Sequence, residues 1–492
     1  MDKGLMMNGN PLMGFSELAE AIGARLISLS GPGEGGFYSA ALDSRAVEPG
    51  ALFVALPGSC RDGHCYVEAA FRGGAAAALV EESRLGKAEL ALEETARRLG
   101  KTLLVVEDTL RAFQDAAAAY LKKFPRLLRI GITGSAGKTT TKEAAAAMAA
   151  AERPTVTNPG NLNSETGLPL AVFSVREHHR VGIFEMGMNR RGEIGELARV
   201  LRPQIALITN IGSAHVGILG SKDAIAEEKK AIFSRFTGEE TALIPEDEEY
   251  RAFLSAGVRG RVRFFGRESF PELSGVRDLG LEGTELTWEG LPVRFGLPGK
   301  HHLRNALAAL AIAREIPLGA QAVRRGLQGV RPLFGRGEIL RGAVTVVQDC
   351  YNANPESVLE ALAFCDGLPW PGRRVYVIGS MLELGEESAA AHERIGRVLA
   401  SSGADRIFLF GAETRGALGV LERVGEGGGR VPACFHTNYI DVLSQAVADY
   451  VAPGDLVLLK GSRGCALERL TEVLLSIPAS EGVTATAWGG VV

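Results

Sequence analysis

The sequence predicts an α/β protein of three domains, and three observations carry that expectation. Its 492 residues amount to about three domains of ordinary size. Apolar strand segments alternate with helical ones over two long stretches, the βαβ rhythm of parallel sheets. A glycine-rich loop, Gly134-Ser-Ala-Gly-Lys-Thr-Thr140, lies between an apolar strand and an alanine-rich helix. In that setting backbone N–H groups and a helix N-terminus cradle phosphate. The reading places a small N-terminal α/β domain at 13–107, a central P-loop-type parallel-sheet domain at 108–334 and a C-terminal Rossmann-like α/β domain at 335–478.

The first domain opens with a helix from Phe15 to Gly23, followed by strands at Ala51–Leu56 and Ala75–Val80; Asp43-Ser-Arg45 and Asp62-Gly-His64 fall in polar loops. A helix from Thr109 to Phe124 leads into the phosphate-loop strand, which sets the boundary near 108. Central strands are expected at Leu128–Thr133, Val181–Met186 and Ile205–Ile211, with helices after Lys138, around Glu193–Leu201 and from Lys222 to Phe236. Residues 241–297 read as short strands and turns, and Gly299-Lys-His-His opens another helix. The third domain begins at Gly335-Arg-Gly-Glu338, with strands at Val344–Gln348, Arg374–Ile378, Arg406–Phe410 and Leu456–Leu459. Polar turns follow each of these four, at the strand edge where open parallel sheets bind ligands. The small, Gly-rich tail after Ser476 reads as disordered.

Composition narrows the function classes. Apolar content of 46% and charged content of 23% are those of a soluble globular protein. A net charge of −4 argues against a general nucleic-acid or anionic-membrane surface. Six cysteines, at 60, 65, 350, 365, 434 and 465, form neither a disulfide framework nor a zinc pattern. The N-terminus lacks a signal-peptide pattern and no run of 18 apolar residues occurs, so the expectation is a cytoplasmic protein without a membrane span.

Within the loop, Lys138 suits the terminal phosphates and Thr139 can offer its hydroxyl to Mg²⁺. The strict P-loop pattern is not met, because Ile132 stands where the first glycine belongs. Glu185 ends an otherwise apolar strand. A buried carboxylate there must be paired, protonated or metal-bound, and beside a phosphate loop Mg²⁺ competes with a salt bridge to Arg190 or Arg191. His215, in Asn210-Ile-Gly-Ser-Ala-His215, follows the next strand at the same sheet edge, as a structural histidine or as a ligand. Lys229 falls inside the apolar stripe of Ile225, Ile232, Phe233 and Phe236, while Lys230 falls toward its edge. Either the Lys229 ammonium snorkels to solvent, or its pKa is lowered and it reacts with CO₂ to give a carbamate suited to a second metal. Asn161-Leu-Asn163-Ser-Glu165-Thr-Gly-Leu-Pro169 reads by itself as a capped helix start.

Taken together these residues resemble the Mur ligase family, which joins amino acids or peptides to a UDP-linked muramoyl precursor. The resemblance covers about residues 15–475. It rests on Gly131–Thr140, Glu185-Met-Gly-Met-Asn189 with Gly192-Glu-Ile194, Asn210–His215 and Ile225-Ala-x-x-Lys229, in that order. Within the family, Tyr351-Asn-Ala-Asn-Pro355, the Asn161–Pro169 loop and Met381-Leu-Glu-Leu-Gly385 resemble the branch that adds D-alanyl-D-alanine to the tripeptide. The resemblance implies an ATP-dependent ligase of cell-wall peptidoglycan synthesis, acting on UDP-N-acetylmuramoyl-tripeptide and D-alanyl-D-alanine as a monomer with two Mg²⁺. It implies an ATP site of Gly134, Ser135, Ala136, Gly137, Lys138, Thr139, Thr140, Asn305, Arg336 and Asp349. Thr139, Glu185, His215 and a carbamylated Lys229 would hold metal, with Lys138, His215 and Lys229 serving catalysis. Substrate would meet Ser44, Arg45, Asp62 and His64 in the first domain, Asn163 and Glu165 in the second, and Asn352, Asn354, Lys460, Ser462 and Arg463 in the third.

Two positions depart from the family pattern: Ser380 and Gln348 stand where acids are expected. Two alternatives stay open on sequence grounds. One is another ligase of the same architecture, such as a folylpolyglutamate synthase-like enzyme. The other is a regulatory P-loop ATPase.

Overall fold

The protein folds, in a computed structural model that describes residues 10–27, 35–58, 61–85 and 89–478, around three parallel or mostly parallel sheets. Cys60 and most of the tail, residues 479–492, lie outside the described residues. Among the described residues no helix is long and apolar enough to cross a membrane.

The N-terminal sheet has the order Arg25–Ile27, Thr102–Val106, Ala77–Glu81, Ala51–Val54, Ser39–Ala41, with only the first strand antiparallel. The helix Thr109–Lys122 then joins this sheet to the central domain. Asp108 caps it, accepting from the Arg111 N–H at 2.9 Å. Its Tyr120 packs with Phe173, which also meets Phe37 edge-on at 5.3 Å. One aromatic contact therefore locks the first domain onto the second.

The central sheet is fully parallel, in the order Arg261–Phe265, Thr241–Pro245, Ile205–Ile208, Leu128–Thr133, Val181–Glu185, Thr155–Thr157. Its inner strands are apolar because both faces are covered. The strand before the phosphate loop sits between the strands that end in Glu185 and Ile208. Register sets Glu185 opposite Ile132 and Ile208 opposite Thr133. Three strand ends thus deliver their loops to one crevice at the point where the strand order reverses.

Two expected strands are shorter than their apolar runs. The strand before His215 ends at Ile208, because Thr209 and Asn210 leave the sheet to hold the phosphate loop, Thr209 Oγ1 donating to Ala136 O at 2.6 Å. The strand expected to reach Met186 ends at Glu185. The helix expected from Lys222 to Phe236 is α-helical only to Lys230, with a 3₁₀ turn at Ala231–Phe233. Residues 241–297 include an antiparallel sheet of Leu273–Asp278, Thr284–Trp288 and Leu291–Phe295. Its Leu286, Trp288, Val293 and Phe295 share one core with the alanine-rich helices Lys138–Ala150 and Lys300–Glu315, and the strand Leu291–Phe295 packs on the helix Ala320–Gly329.

The third sheet runs Glu338–Arg341, Thr345–Asp349, Leu456–Lys460, Arg374–Gly379, Arg406–Phe410, Ala433–Thr437, with only the first strand antiparallel. Its carboxyl edge faces the central domain. There the helix Pro355–Gly367 begins, with Asn354 and Ser357 forming a reciprocal capping box.

Candidate active site

The phosphate loop is shaped by its neighbours rather than by its own sequence. Asn210 Oδ1 accepts from the N–H groups of Ser135 (3.1 Å) and Ala136 (2.9 Å). Ser135 Oγ accepts from Gly212 N at 2.8 Å and donates to Gly212 O at 3.1 Å. The two glycines are obligatory here. A Cβ on Gly134 (φ +149°) would stand 1.8 Å from Thr209 Oγ1, and one on Gly137 (φ +79°) 2.1 Å from Asn305 Oδ1. Gly137→Ala is therefore expected to cost about 1–2 kcal/mol in left-handed strain alone and to push Asn305 aside. Nucleotide titration should show ATP binding weakened about tenfold, a loss of about 1.4 kcal/mol.

Lys138 opens the helix Lys138–Ala150, and its Nζ donates to Gly134 O at 2.7 Å. Desolvation lowers its pKa; the Glu185 carboxylate opposes this and Arg336 adds to it. Arg336 thus stands near the loop although it lies in the segment entering the third domain, its guanidinium 4.0 Å from the centroid of the Tyr351 ring.

Glu185 is buried. Its Oε1 accepts from Asn163 Nδ2 at 2.6 Å, and its Oε2 has no hydrogen-bond partner. Asn158 fixes the backbone on both sides, accepting from Glu185 N at 2.9 Å and donating to Glu185 O at 3.0 Å. The salt bridge to arginine is absent: Arg190 pairs instead with Glu165 and Glu196. His215 adopts a left-handed backbone (φ 66°), and its Nδ1 is buried without a hydrogen bond, although Glu383 Oε2 lies 3.2 Å away. Desolvation, with Lys138 and Lys229 adding, lowers its pKa to about 4.

Lys229 is 1% exposed, so it does not snorkel. Its Nζ donates to Met188 Sδ at 3.9 Å. Burial, with Lys138 adding, holds its pKa well below the ordinary lysine value, and the adjacent Glu228 opposes the shift. The Glu228 carboxylate is occupied elsewhere, accepting from Gly192 N (2.6 Å) and Ile194 N (2.8 Å) at a helix start. Lys230, by contrast, reaches Phe253 O at the surface.

Lys138 stands near enough to Glu185, His215 and Lys229 for each pair to interact electrostatically. Glu185 Oε2 and His215 Nδ1 are buried without a hydrogen bond, the latter facing Glu383 Oε2 at 3.2 Å, and a divalent cation suits them. Among the described residues no group of three His, Cys, Asp or Glu side chains stands ready for a metal. Any such site has to draw on other donors: the Thr139 hydroxyl, a modified Lys229 and phosphate oxygens.

The remaining expected residues divide by what they already bind. Asp43 accepts from Arg45 N and Nε, leaving Ser44 at the head of a short 3₁₀ turn. His64 uses both ring nitrogens inside the domain: Nδ1 meets Asp62 Oδ1 at 2.6 Å and Nε2 accepts from Glu81 N at 2.8 Å. His64 reads as a positioning residue for its loop, with no ring nitrogen left for a ligand. Asn354 is likewise committed to its helix cap. Lys460 is buried against Asp349 Oδ2 (2.9 Å) and Asn352 O (2.8 Å). Ser462 Oγ accepts from Leu382 N, and Arg463 pairs with Glu468. Asn305 Nδ2 lies 3.5 Å from His302 Nδ1.

The two departures resolve differently. Ser380 Oγ donates to Glu413 Oε2 at 2.6 Å, so a carboxylate does reach this place, from the turn after the next strand. Gln348 is absorbed by Glu338 and Thr471. Sequence reasoning missed Thr209, Asn158, Glu193 and Glu413. The signal available for Glu193 was its place in Gly192-Glu-Ile194; its carboxylate accepts from Glu165 N and Asn189 N.

Residues 37–121 match the Mur ligase family catalytic domain, 132–313 the Mur ligase middle domain and 335–463 the Mur ligase glutamate ligase domain. The chain is 45% identical to the UDP-N-acetylmuramoyl-tripeptide–D-alanyl-D-alanine ligase of Treponema pallidum, over 94% of this chain and 99% of the relative. Among solved structures it is similar to MurF from Acinetobacter baumannii (TM-score 0.82, 26% identity, covering 95% of this chain and 100% of that one). It is also similar to a MurF ligase from Thermotoga maritima in complex with ADP (TM-score 0.74, 26% identity, covering 89% and 97%).

Proposed function

The chain belongs to the Mur ligase family, and on that footing we propose that it joins D-alanyl-D-alanine to UDP-N-acetylmuramoyl-tripeptide with ATP consumed to ADP and phosphate. The product is the UDP-linked pentapeptide of peptidoglycan synthesis. The observation that carries this reading is the gathering of Lys138, Glu185, His215 and Lys229 beside a phosphate loop in a chain so similar to ligases of that name. A cytoplasmic, monomeric enzyme is part of the same proposal.

A carboxylate is a poor electrophile, and phosphorylation corrects that. The terminal carboxylate of the tripeptide attacks the γ-phosphorus of ATP, giving an acyl phosphate and ADP. The amine of the dipeptide attacks the acyl carbon, a tetrahedral intermediate forms, and phosphate leaves as the amide closes. The work of the protein is positioning and charge neutralisation. Backbone amides from Gly134 to Thr140 and the Lys138 ammonium receive the phosphates. Thr139, Glu185, His215 and a carbamylated Lys229 would hold two Mg²⁺. When bound, these ions supply charge screening between the substrate carboxylate and the γ-phosphate. Asn163 and Glu165 border the acceptor, Ser44, Arg45 and the loop held by Asp62 the sugar nucleotide, and Asn352, Lys460, Ser462 and Arg463 the incoming dipeptide. Arg336 and Asp349 carry the third domain onto the nucleotide, where closure excludes water from the acyl phosphate.

The test is direct. Purified protein with Mg-ATP, the UDP-muramoyl-tripeptide and D-alanyl-D-alanine should yield the pentapeptide by mass, with phosphate release that requires both acceptor and dipeptide. Amide formation without ATP consumption, or ATP hydrolysis indifferent to both substrates, overturns the proposal.

A further inference from the structure

We infer that Glu356 of the third domain is a positioning residue for the reaction, gripping the central loop that braces the phosphate loop and so tying third-domain closure to the order of the ATP site. The inference rests on the ligase reading above for its consequence, and on the following contacts for its geometry.

Glu356 lies in the first turn of the helix Pro355–Gly367, where the Asn354–Ser357 capping box fixes the backbone. Its carboxylate crosses to the central domain. Ser213 Oγ donates to Oε1 at 2.8 Å, Ser213 N lies 3.3 Å from both oxygens, and Lys222 Nζ lies 3.3 Å from Oε1. Ser213 is buried, so its charge-assisted contact is the shielded one, while the Glu356 and Lys222 side chains are 33% and 39% exposed. The residue before it, Gly212, exchanges two hydrogen bonds with Ser135 Oγ. Ser135 is the second residue of the phosphate loop, and its N–H also donates to Asn210 O at 3.0 Å. The path from a third-domain carboxylate to the phosphate loop therefore passes through two residues.

The same loop is held a second time, four residues on. Gly217 N donates to Glu383 O at 3.1 Å, and a Cβ on Gly217 would stand 2.5 Å from Gly385 N. The two grips flank His215. A third bridge between the same domains, Arg304–Glu360, makes a useful contrast. Its side chains are 63% and 35% exposed, a setting in which ion pairs contribute little, and no buried serine accompanies it in the bridge.

The test uses the full chain with Glu356→Ala, Ser213→Ala, the double variant and Glu356→Gln, reading kcat and KM separately. Small-angle scattering with a non-hydrolysable ATP analogue reports closure independently of turnover. Each alanine variant should lower kcat about tenfold, as expected for one charge-assisted hydrogen bond, while the KM for ATP stays near that of the parent because Asn210 still holds the loop. The double variant should lose about tenfold rather than about a hundredfold, since both substitutions cut one interaction. Glu356→Gln, whose amide oxygen still accepts from Ser213, should recover part of the loss. Scattering should show the variants more extended than the parent with analogue bound. Additive losses, or parent-like kcat and scattering, overturn the inference. If Glu356→Ala does not fold, Ser213→Ala reads the same contact from the other side. Failure of the parent to make pentapeptide counts against the ligase reading alone, because the scattering comparison still decides the grip.

Discussion

Lys138→Ala is expected to abolish ligation, lowering kcat/KM by about a thousandfold or more, while the protein remains folded. The side chain is half-buried and makes one hydrogen bond, to Gly134 O, so its removal costs the fold little. The functional cost is large because the charge has no substitute at that spot. Glu185 opposes the desolvation that lowers the Lys138 pKa, and Arg336 and Lys229 stand near enough to be felt electrostatically. Without Lys138, the anionic acceptor and the phosphates meet across Glu185 with one fewer fixed cation. Removing a preorganised group of this kind costs about 3–4 kcal/mol in the transition state. Lys138→Arg should not restore activity, because a planar guanidinium does not fit the turn in which Nζ folds back on Gly134. Single-turnover measurement of acyl-phosphate formation checks the claim. Loss confined to amine attack, with phosphorylation intact, would mean that Lys138 serves another step.

The positions of the candidate site residues are legible in the sequence wherever their signal is local. The phosphate loop announces itself by glycines between a strand and a helix. Glu185 does so by ending an apolar strand, and Lys229 by sitting within an apolar stripe at helical spacing. Each signal fits within a short stretch of chain, where motif or periodicity exposes it. The bracing of the site was not legible, because it depends on pairs far apart in the chain. Asn210 holds the amides of Ser135 and Ala136, and Asn158 holds Glu185. No local pattern says that these asparagines face inward. The resemblance offers His64 to substrate, and no local pattern in the sequence tells that both its ring nitrogens are engaged within its own domain. The strands Thr155–Thr157 and Ala433–Thr437 went unread because they are short edge strands whose burial comes from neighbours. Ser380 was read as a lost acid, whereas Glu413 brings a carboxylate to it from the adjoining strand end. Compensation between neighbouring strands is invisible without topology.

Lys229→Ala should lose about a thousandfold in kcat/KM, the several kcal/mol that a lost anion and its cation supply. Short carboxylic acids should recover part of that loss. A lysine this buried cannot stay a bare ammonium at low cost, and its Nζ meets the weak acceptor Met188 Sδ at 3.9 Å. Burial and Lys138 both lower its pKa, which favours the neutral, nucleophilic amine. A neutral amine adds to CO₂ with loss of one proton and gives a carbamate. That anion would lie near Lys138 and His215, where it would add a cation-binding group that the side chains as encoded do not supply. Truncation to alanine leaves a channel the length of a lysine side chain, and acetate or propionate entering it would return a carboxylate to the same place. Lys229→Met separates this account from simple packing. Methionine fills the channel, so the variant should fold at least as well as alanine yet refuse rescue. Labelled bicarbonate should give a carbamate signal in the parent protein and none in either variant. Rescue of the methionine variant, or a parent without that signal and with full activity, would show that Lys229 acts through its volume or its amine instead.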